Sequence, residues 1–298
     1  MKIYTLGPDK SFSALGSREF LEKLSPDLHK SGLEISLENS FPEIWSRLHE
    51  NPANFAILPI ENTSSSSVHE NIDAIFDFSK IKIFAEFFLQ INLHLIGLNG
   101  AIESEIETIY SHPKALEQCK NFLKNFAGKT VSTDSTSSAS KIVREKNDKK
   151  CAFIGGEYLA DEDLEILAKN VANQQHNFTR FVLVGNSKSG LGACPKKLSP
   201  DFDFFPPDKG ARGLKATLIF ETKHEAGALA KILTTISLLN GNLLKIESRP
   251  IPEKPHSYSF WIDIDLTGTP ENLFEILAKN LHSLRVVGVY EVGEVIII

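Results

Sequence analysis

The chain has 298 residues and a formal net charge of -6, with 42% hydrophobic and 23% charged residues. That suits one large or two ordinary soluble domains, and an acidic balance without a basic cluster argues against nucleic-acid binding. Nothing approaches the roughly 18 uninterrupted apolar residues of a membrane span or the apolar core of a signal peptide, and three scattered cysteines (Cys119, Cys151, Cys194) without CxxC or zinc spacing suggest a reduced, cytoplasmic protein holding no metal.

Taken in chain order, Ile3–Leu6 reads as a strand stopped by Gly7-Pro8, and Ser11–Leu24 as a helix. Ser40 and Glu43 stand at capping-box spacing before a second helix. Phe55–Ile60 is a buried strand, His69–Phe78 a helix, and Ile81–Leu98 strand-like, with its clearest alternation at Ile91, Leu93 and Leu95. Then come Thr108–Tyr110 (strand), Pro113–Phe126 (helix), Thr130–Ser132 (strand), Ser137–Val143 (helix), Ala152–Ile154 (strand) and Phe181–Val184 (strand). Alternating strands and helices predict an α/β sheet with helices on its faces. Residues 186–212, rich in Gly, Lys, Ser and Pro, read as a linker. Beyond it, Leu214–Phe220, Glu225–Leu239, Leu243–Arg249, Tyr258–Asp265, Pro270–Leu281 and Val286–Ile297 follow the order βαββαβ of a ferredoxin-like domain.

Ligands of α/β sheets bind beyond the carboxyl ends of strands, where helix N-termini converge. Polar segments fall at such ends: Gly7 to Ser13, Glu61 to Ser65, Ser111-His112-Pro113, Ser135-Thr136-Ser137 and Asn177 to Phe181. Each alone is also an ordinary helix cap. Together, hydroxyls, amides, helix-start N–H groups and one arginine suit a small carboxylated ligand. There is no Gly-rich phosphate loop and no carboxylate cluster for a metal. His112, just before Pro113, reads equally as a turn residue or a base.

Several segments resemble motifs of the prephenate dehydratases. Pro59-Ile60-Glu61-Asn62-Thr63 resembles their PIENS/PIENT motif, Ser111 to Cys119 their SHPQALxQC motif, Ser135-Thr136 with Ala139 their ST-x-x-A segment, and Asn177 to Phe181 their NxTRF motif. Gly227-Ala228-Leu229 and Glu247-Ser248-Arg249-Pro250 resemble the GAL and ESRP motifs of the attached ACT domain. The matches keep family order across nearly the whole chain. The resemblance implies a catalytic domain over 1–188, a linker over 189–211 and an ACT regulatory domain over 212–298. It implies two α/β subdomains similar to type 2 periplasmic binding proteins, with the active site between them. The first would hold the N-terminal strands and the Thr179 segment, the second would run from about Ile91 to about residue 170. With no chorismate mutase segment ahead of these motifs, the monofunctional type is implied.

The implied reaction converts prephenate to phenylpyruvate, losing CO2 and water, without a cofactor. Hydroxide is a poor leaving group, so a donor at the departing oxygen helps, and the resemblance assigns that role to Thr179. It assigns Glu61, Asn62, Ser111, Gln118, Ser135, Thr136, Arg180 and Ser13 to substrate binding, with Glu61 organising its neighbours, and an internal salt bridge as the other reading of Arg180. L-Phenylalanine would bind as allosteric ligand at Gly227, Ala228, Leu229, Glu247, Ser248, Arg249 and Pro250 between paired ACT domains, in a homodimer or homotetramer. Gly227 would admit a close ligand or backbone, or merely ease helix packing on the sheet. Departures from the family pattern are Lys10 and Ser66 in place of glycines, Asn173 in place of aspartate and Leu244 in place of threonine. If those glycines need positive φ, Lys10 and Ser66 would force a different loop geometry. Arogenate dehydratase, with the same motifs, and a catalytically silent amino-acid sensor are the alternative readings.

Overall fold

A computed structural model describes residues 2–24, 34–64, 66–186, 213–252, 254 and 256–298. The expected linker over 189–211 and Cys194 lie outside the described residues. The chain divides into two compact units: Met1–Ile72 with Phe87–Phe181 and Glu294–Ile298, and Asp73–Glu86 with Val182–Gly293.

The chain begins β1 (Lys2–Leu6), α1 (Phe12–Leu24), β2 (Glu34–Glu38), α2 (Phe41–Glu50), β3 (Phe55–Asn62), β4 (Ser66–Ser67), α3 (His69–Asp77) and β5 (Ile81–Gln90). Next come β6 (His94–Leu98), β7 (Thr108–Ser111), α4 (Pro113–Gln118), α5 (Lys120–Leu123), β8 (Lys129–Ser132), α6 (Thr136–Lys146), β9 (Cys151–Gly155) and β10 (Leu164–Ala168), before the chain returns as β11 (Phe178–Asn186). The second unit continues with β12 (Leu214–Glu221), α7 (Ala228–Leu238), β13 (Asn242–Pro250), β14 (Tyr258–Asp265), α8 (Leu273–Asn280) and β15 (Ser283–Glu291), and the last strand is β16 (Glu294–Ile296).

Three sheets result. One runs β16-β5-β11-β3-β1-β2, with β4 beside β3; another runs β10-β6-β9-β7-β8; the third runs β13-β14-β12-β15. The first two are the cores of two α/β lobes, the architecture of periplasmic-binding-protein type that the resemblance implied. The apolar residues of β3, from Phe55 to Ile60, are buried without a break, as a central strand covered on both faces requires. Trp45 Nε1 donates to Asn71 Oδ1 at 3.1 Å and Asn71 Nδ2 to the Pro59 carbonyl at 2.9 Å, tying α2 and the start of α3 to β3. β7 pairs in parallel with β8 and β9, so their carboxyl ends open on one side.

Several boundaries differ from expectation, each for a local reason. The apparent strand 81–98 is two strands of different sheets. Its clearest alternation, at Ile91 and Leu93, marks the buried crossing between lobes, where Ile91 N–H bonds the Asn177 carbonyl at 2.8 Å. The helix expected over 113–126 breaks into α4 and α5 at Cys119. β2 and β10 were not foreseen; both are five-residue strands that end their sheets, too short to carry a clear strand signal. The last expected strand divides at Gly293, where a Cβ would stand 2.6 Å from the Glu86 carbonyl oxygen.

In the second unit, α7 and α8 cover one face of the antiparallel sheet, burying Ala216, Leu218, Phe220, Ile232, Ile236, Ile262, Ile264 and Leu277. α7 starts later than Glu225 because Gly227 precedes it at φ 76°. A Cβ there would meet nothing within 4 Å, so the glycine answers to backbone conformation and open space, not to packing on the sheet. Leu244 sits where the β13–β14 register shifts and is 47% exposed.

Lys10 and Ser66 adopt the left-handed conformation, at φ 59° and 62°. The loops keep a glycine-like backbone in spite of the side chains, which corrects the expected change of geometry. Such a conformation costs a non-glycine residue roughly 1–2 kcal/mol.

Candidate active site

The C-terminal end of β3 and the start of β11 bring two of the quoted motifs together. Asn62, buried, donates from Nδ2 to Asn177 Oδ1 and to Thr179 Oγ1, each at 2.9 Å. Its Oδ1 accepts from the Ser64 backbone N–H at 2.9 Å and from Gln118 Nε2 at 3.4 Å. Asn177 Nδ2 donates to Gln118 Oε1 at 3.1 Å. Thr63 fastens the turn, its N–H donating to the Phe178 carbonyl and its hydroxyl oxygen accepting from Phe178 N–H, both at 2.9 Å. Gln118 arrives from the other lobe at the end of α4, where Asn173 N–H bonds its carbonyl at 2.6 Å. Asn173 also accepts from Asn121 N–H at 2.8 Å and donates to the Glu117 carbonyl at 3.3 Å; an aspartate could not make the second bond.

Glu61 and Arg180 point to the opposite face of the same strands, as the two-residue period requires. They pair with each other at 3.6 Å, Arg180 being buried and the Glu61 side chain partly exposed. Ser111 is fully buried and donates to the Ile154 carbonyl at 2.7 Å. Ser135 caps α6, its hydroxyl accepting from Ser138 N–H at 2.9 Å, and Thr136 opens that helix. Ser13 lies half-buried in the first turn of α1. Two contacts join these loops across the lobes: Ser137 Oγ donates to the Lys10 carbonyl at 2.6 Å, and Phe12 meets Tyr158 edge-on at 5.2 Å.

Thus Asn62, Gln118 and Thr179 are bonded together, Glu61 and Arg180 form a pair, and Ser111, Ser135, Thr136 and Ser13 stand at a strand end and at helix starts without a bond to either group. In the second unit, Arg249 bonds Asp73 at 2.5 Å and Glu247 at 2.6 Å. Sequence reasoning passed over Asn177 and the Ser64 N–H. The signal for Asn177 was its place at the head of the motif that yielded Thr179.

His112 is the N-cap of α4: its Nδ1 accepts from Lys114 N–H at 3.2 Å, and burial, with the nearby Lys114 charge, holds its pKa below the ordinary histidine value. Burial pushes the Cys119 thiol up to about 12, leaving it unreactive. Among the described residues, no group of three or more His, Cys, Asp or Glu could hold a metal ion.

Another histidine makes stability depend on pH. His94 is buried, its Nδ1 accepts from Asn170 N–H at 3.2 Å, and burial, the largest cause, lowers its pKa below the ordinary value. As pH falls below about 6.5, the unfolded chain takes up the proton first. The stabilisation is full above that pH and is lost as pH falls towards the lower native pKa. Urea midpoints should therefore drop between pH 7 and pH 5, and His94→Gln should flatten that drop; equal slopes would reject the assignment.

Thr179 is the chemically pointed group. Its oxygen accepts from Asn62, and among the described residues nothing within hydrogen-bonding reach accepts its O–H. A half-buried hydroxyl held this way can donate to a ligand, and the amides beside it carry no negative charge to repel an anion.

Comparison with known proteins shows the family. The family model described as prephenate dehydratase matches residues 3–189. A prephenate dehydratase of Methanocaldococcus jannaschii is 34% identical over 277 residues, covering 92% of this chain and 91% of its own. A solved prephenate dehydratase of Arthrobacter aurescens, in complex with L-Phe, superposes with a TM-score of 0.75 at 24% identity, over 98% of this chain and 90% of its own. GqqA, described as a novel type of quorum quenching acylase, gives 0.74 at 22% identity over 98% of each chain. At these identities the structures establish a shared fold and nothing more. The family match spans well over half the chain and the relative aligns along nearly its full length, so the chain belongs to the prephenate dehydratase family.

Proposed function

We propose that the protein converts prephenate to phenylpyruvate in L-phenylalanine biosynthesis. The observation that carries this is the bond from Asn62 Nδ2 to Thr179 Oγ1, which leaves the threonine O–H to donate. In the reaction, the bond to the ring carboxylate breaks and CO2 departs. That electron pair enters the ring, the ring C–O bond breaks, and the leaving oxygen takes up a proton and departs as water. Thr179 donates a hydrogen bond to that oxygen as charge develops on it. Free threonine is a weak acid, so its part is stabilisation and relay. Gln118, Ser135, Thr136 and Ser13 supply the polar surroundings of the two carboxylates, with helix-start N–H groups at α4 and α6, while Ser111, its hydroxyl turned inward to the Ile154 carbonyl, holds the end of β7. The Glu61–Arg180 pair organises the strand ends from behind.

Prephenate is favoured over arogenate because the carboxylate that could hold arogenate's ammonium, Glu61, lies against Arg180. Purified protein should release phenylpyruvate from prephenate with a higher kcat/KM than it shows on arogenate. No turnover of either substrate would leave the silent sensor; a preference for arogenate would reject the substrate and leave the Thr179 role standing.

The catalytic domain spans 1–188 and the ACT domain 212–298, in a cytoplasmic homodimer or homotetramer. Among the described residues no helix is long and apolar enough to cross a membrane. The end strand β13 and its surroundings expose Leu244, Ile246, Tyr258 and Leu238, apolar surface suited to a second copy of the chain. L-Phenylalanine binds there, between Gly227-Ala228-Leu229 and Glu247–Pro250, and inhibits turnover. Gly227→Val, which fills open space at a left-handed position, should weaken L-phenylalanine binding at least about tenfold by calorimetry, the scale of a few lost contacts. Undiminished binding would exclude Gly227 from the site.

A further inference from the structure

Three side-chain amides close a ring beneath Thr179. Asn62 donates to Asn177, Asn177 to Gln118 and Gln118 to Asn62, at 2.9, 3.1 and 3.4 Å. Such a ring can run in two senses, since turning every amide over exchanges donors and acceptors and keeps the bonds within it. The two senses differ at Thr179. In one, Asn62 presents N–H to the threonine oxygen, and the threonine proton is available to a ligand. In the other, Asn62 presents its carbonyl, the threonine proton turns inward to it, and the hydroxyl faces a ligand only as an acceptor.

The Ser64 backbone N–H decides between them, because a peptide N–H can only donate. It points at Asn62 Oδ1 from 2.9 Å, so turning the ring would set two donors against each other. We propose that Asn177 is a positioning residue of the catalytic centre: it accepts the first N–H of Asn62 and passes the orientation on to Gln118, so that the second N–H stays on Thr179. Asn177 is 1% exposed, its backbone carbonyl accepts from Ile91 N–H at 2.8 Å, and its side chain is bonded at Oδ1 by Asn62 and at Nδ2 to Gln118. It has no need to touch the substrate. The ring also draws on both lobes, Asn62 and Asn177 from one and Gln118 from the other, so the threonine proton is aimed outward when the lobes are together.

This inference rests on Thr179 acting on the substrate, and the test separates the two. Asn177→Ala removes the acceptor and should lower kcat about 10- to 100-fold with KM within about threefold of wild type, the pattern of an interaction felt in the chemical step. Asn177→Leu keeps the bulk, carries no charge and removes both hydrogen bonds, so it should lower kcat by about the same 10- to 100-fold. The decisive measurement is the cycle with Thr179→Val: once the hydroxyl is gone, Asn177→Ala should lower kcat no further. A residue that merely supports the fold would lower kcat by the same factor in both backgrounds, and that result overturns the proposal, as does an unchanged kcat in Asn177→Ala. Wild-type kcat in Thr179→Val would instead reject the role of Thr179 itself. Circular dichroism on each variant confirms folding, and if the alanine variant fails to fold, Asn177→Leu takes its place in the cycle: an unchanged kcat, or a fall by the same factor with and without the Thr179 hydroxyl, overturns the proposal.

Discussion

Thr179→Val is expected to lower kcat by about 10²-fold or more, the usual scale for a lost acid–base group, while the protein stays folded. Valine has the shape of threonine and suits a strand, so β11 should hold its register. The stability cost is the acceptor that one Asn62 N–H loses, about 1 kcal/mol, because the other N–H still bonds Asn177 Oδ1. What disappears is the O–H that the proposed mechanism directs at the departing oxygen. Thr179→Ser restores an oxygen with one methyl fewer and should recover most of the rate, though its freer rotamer permits other orientations. Single-turnover measurements with prephenate would isolate the chemical step. Near-normal kcat in a folded valine variant would remove Thr179 from the chemistry and leave Asn62, Asn177 and Gln118 as a structural knot.

What could be read from the sequence, and what could not, follows from the range of the interactions concerned. The α/β and βαββαβ patterns were legible because hydrophobic periodicity is local, and runs such as Phe55–Ile60 and Leu214–Phe220 carry it plainly. The edge strands β2 and β10 were not, since five residues are too few for a pattern to stand out. The change of sheet at Ile91–Leu93 was hidden because burial continues through the crossing. In the site, the motif residues Asn62, Gln118 and Thr179 were named, but their mutual bonds span 117 positions in one case and 56 in another, beyond any local signal. The two readings of Arg180 parted on geometry: it lies on the face away from Thr179 and pairs with Glu61. Lys10 and Ser66 taught a different lesson. Both take positive φ, so a glycine rule read from sequence states a cost and does not forbid the conformation.

Glu86→Ala should destabilise the second unit by about 3–5 kcal/mol, the cost of removing one member of a buried ion pair. The strand alternation of β12 shows why. Ala216, Leu218 and Phe220 face the helices, so Lys215 and Thr217 face the other side of the sheet, where polar residues ordinarily meet water. Here that side is buried as well. Lys215 Nζ lies 2.8 Å from Glu86 Oε2, with side-chain exposures of 5% and 0%, and Glu86 Oε1 accepts from Gly293 N–H at 3.1 Å. Beside them Asp263 accepts from Thr217 Oγ1 at 2.6 Å and from Trp261 Nε1 at 3.1 Å. Alanine at 86 removes the carboxylate that balances the Lys215 ammonium and strands the Gly293 N–H without that acceptor. The Tyr290 ring, 6.0 Å from the ammonium, offers far less than a carboxylate. The pair itself is not intrinsically stabilising, since desolvation offsets most of its attraction. Replacing both partners, Glu86→Leu with Lys215→Met, should therefore recover most of the loss seen in the single variant. Urea unfolding of the variants, followed by the Trp261 fluorescence of this unit, measures both effects. A loss below about 1 kcal/mol in Glu86→Ala is the behaviour of an exposed bridge and would show that water reaches the pair.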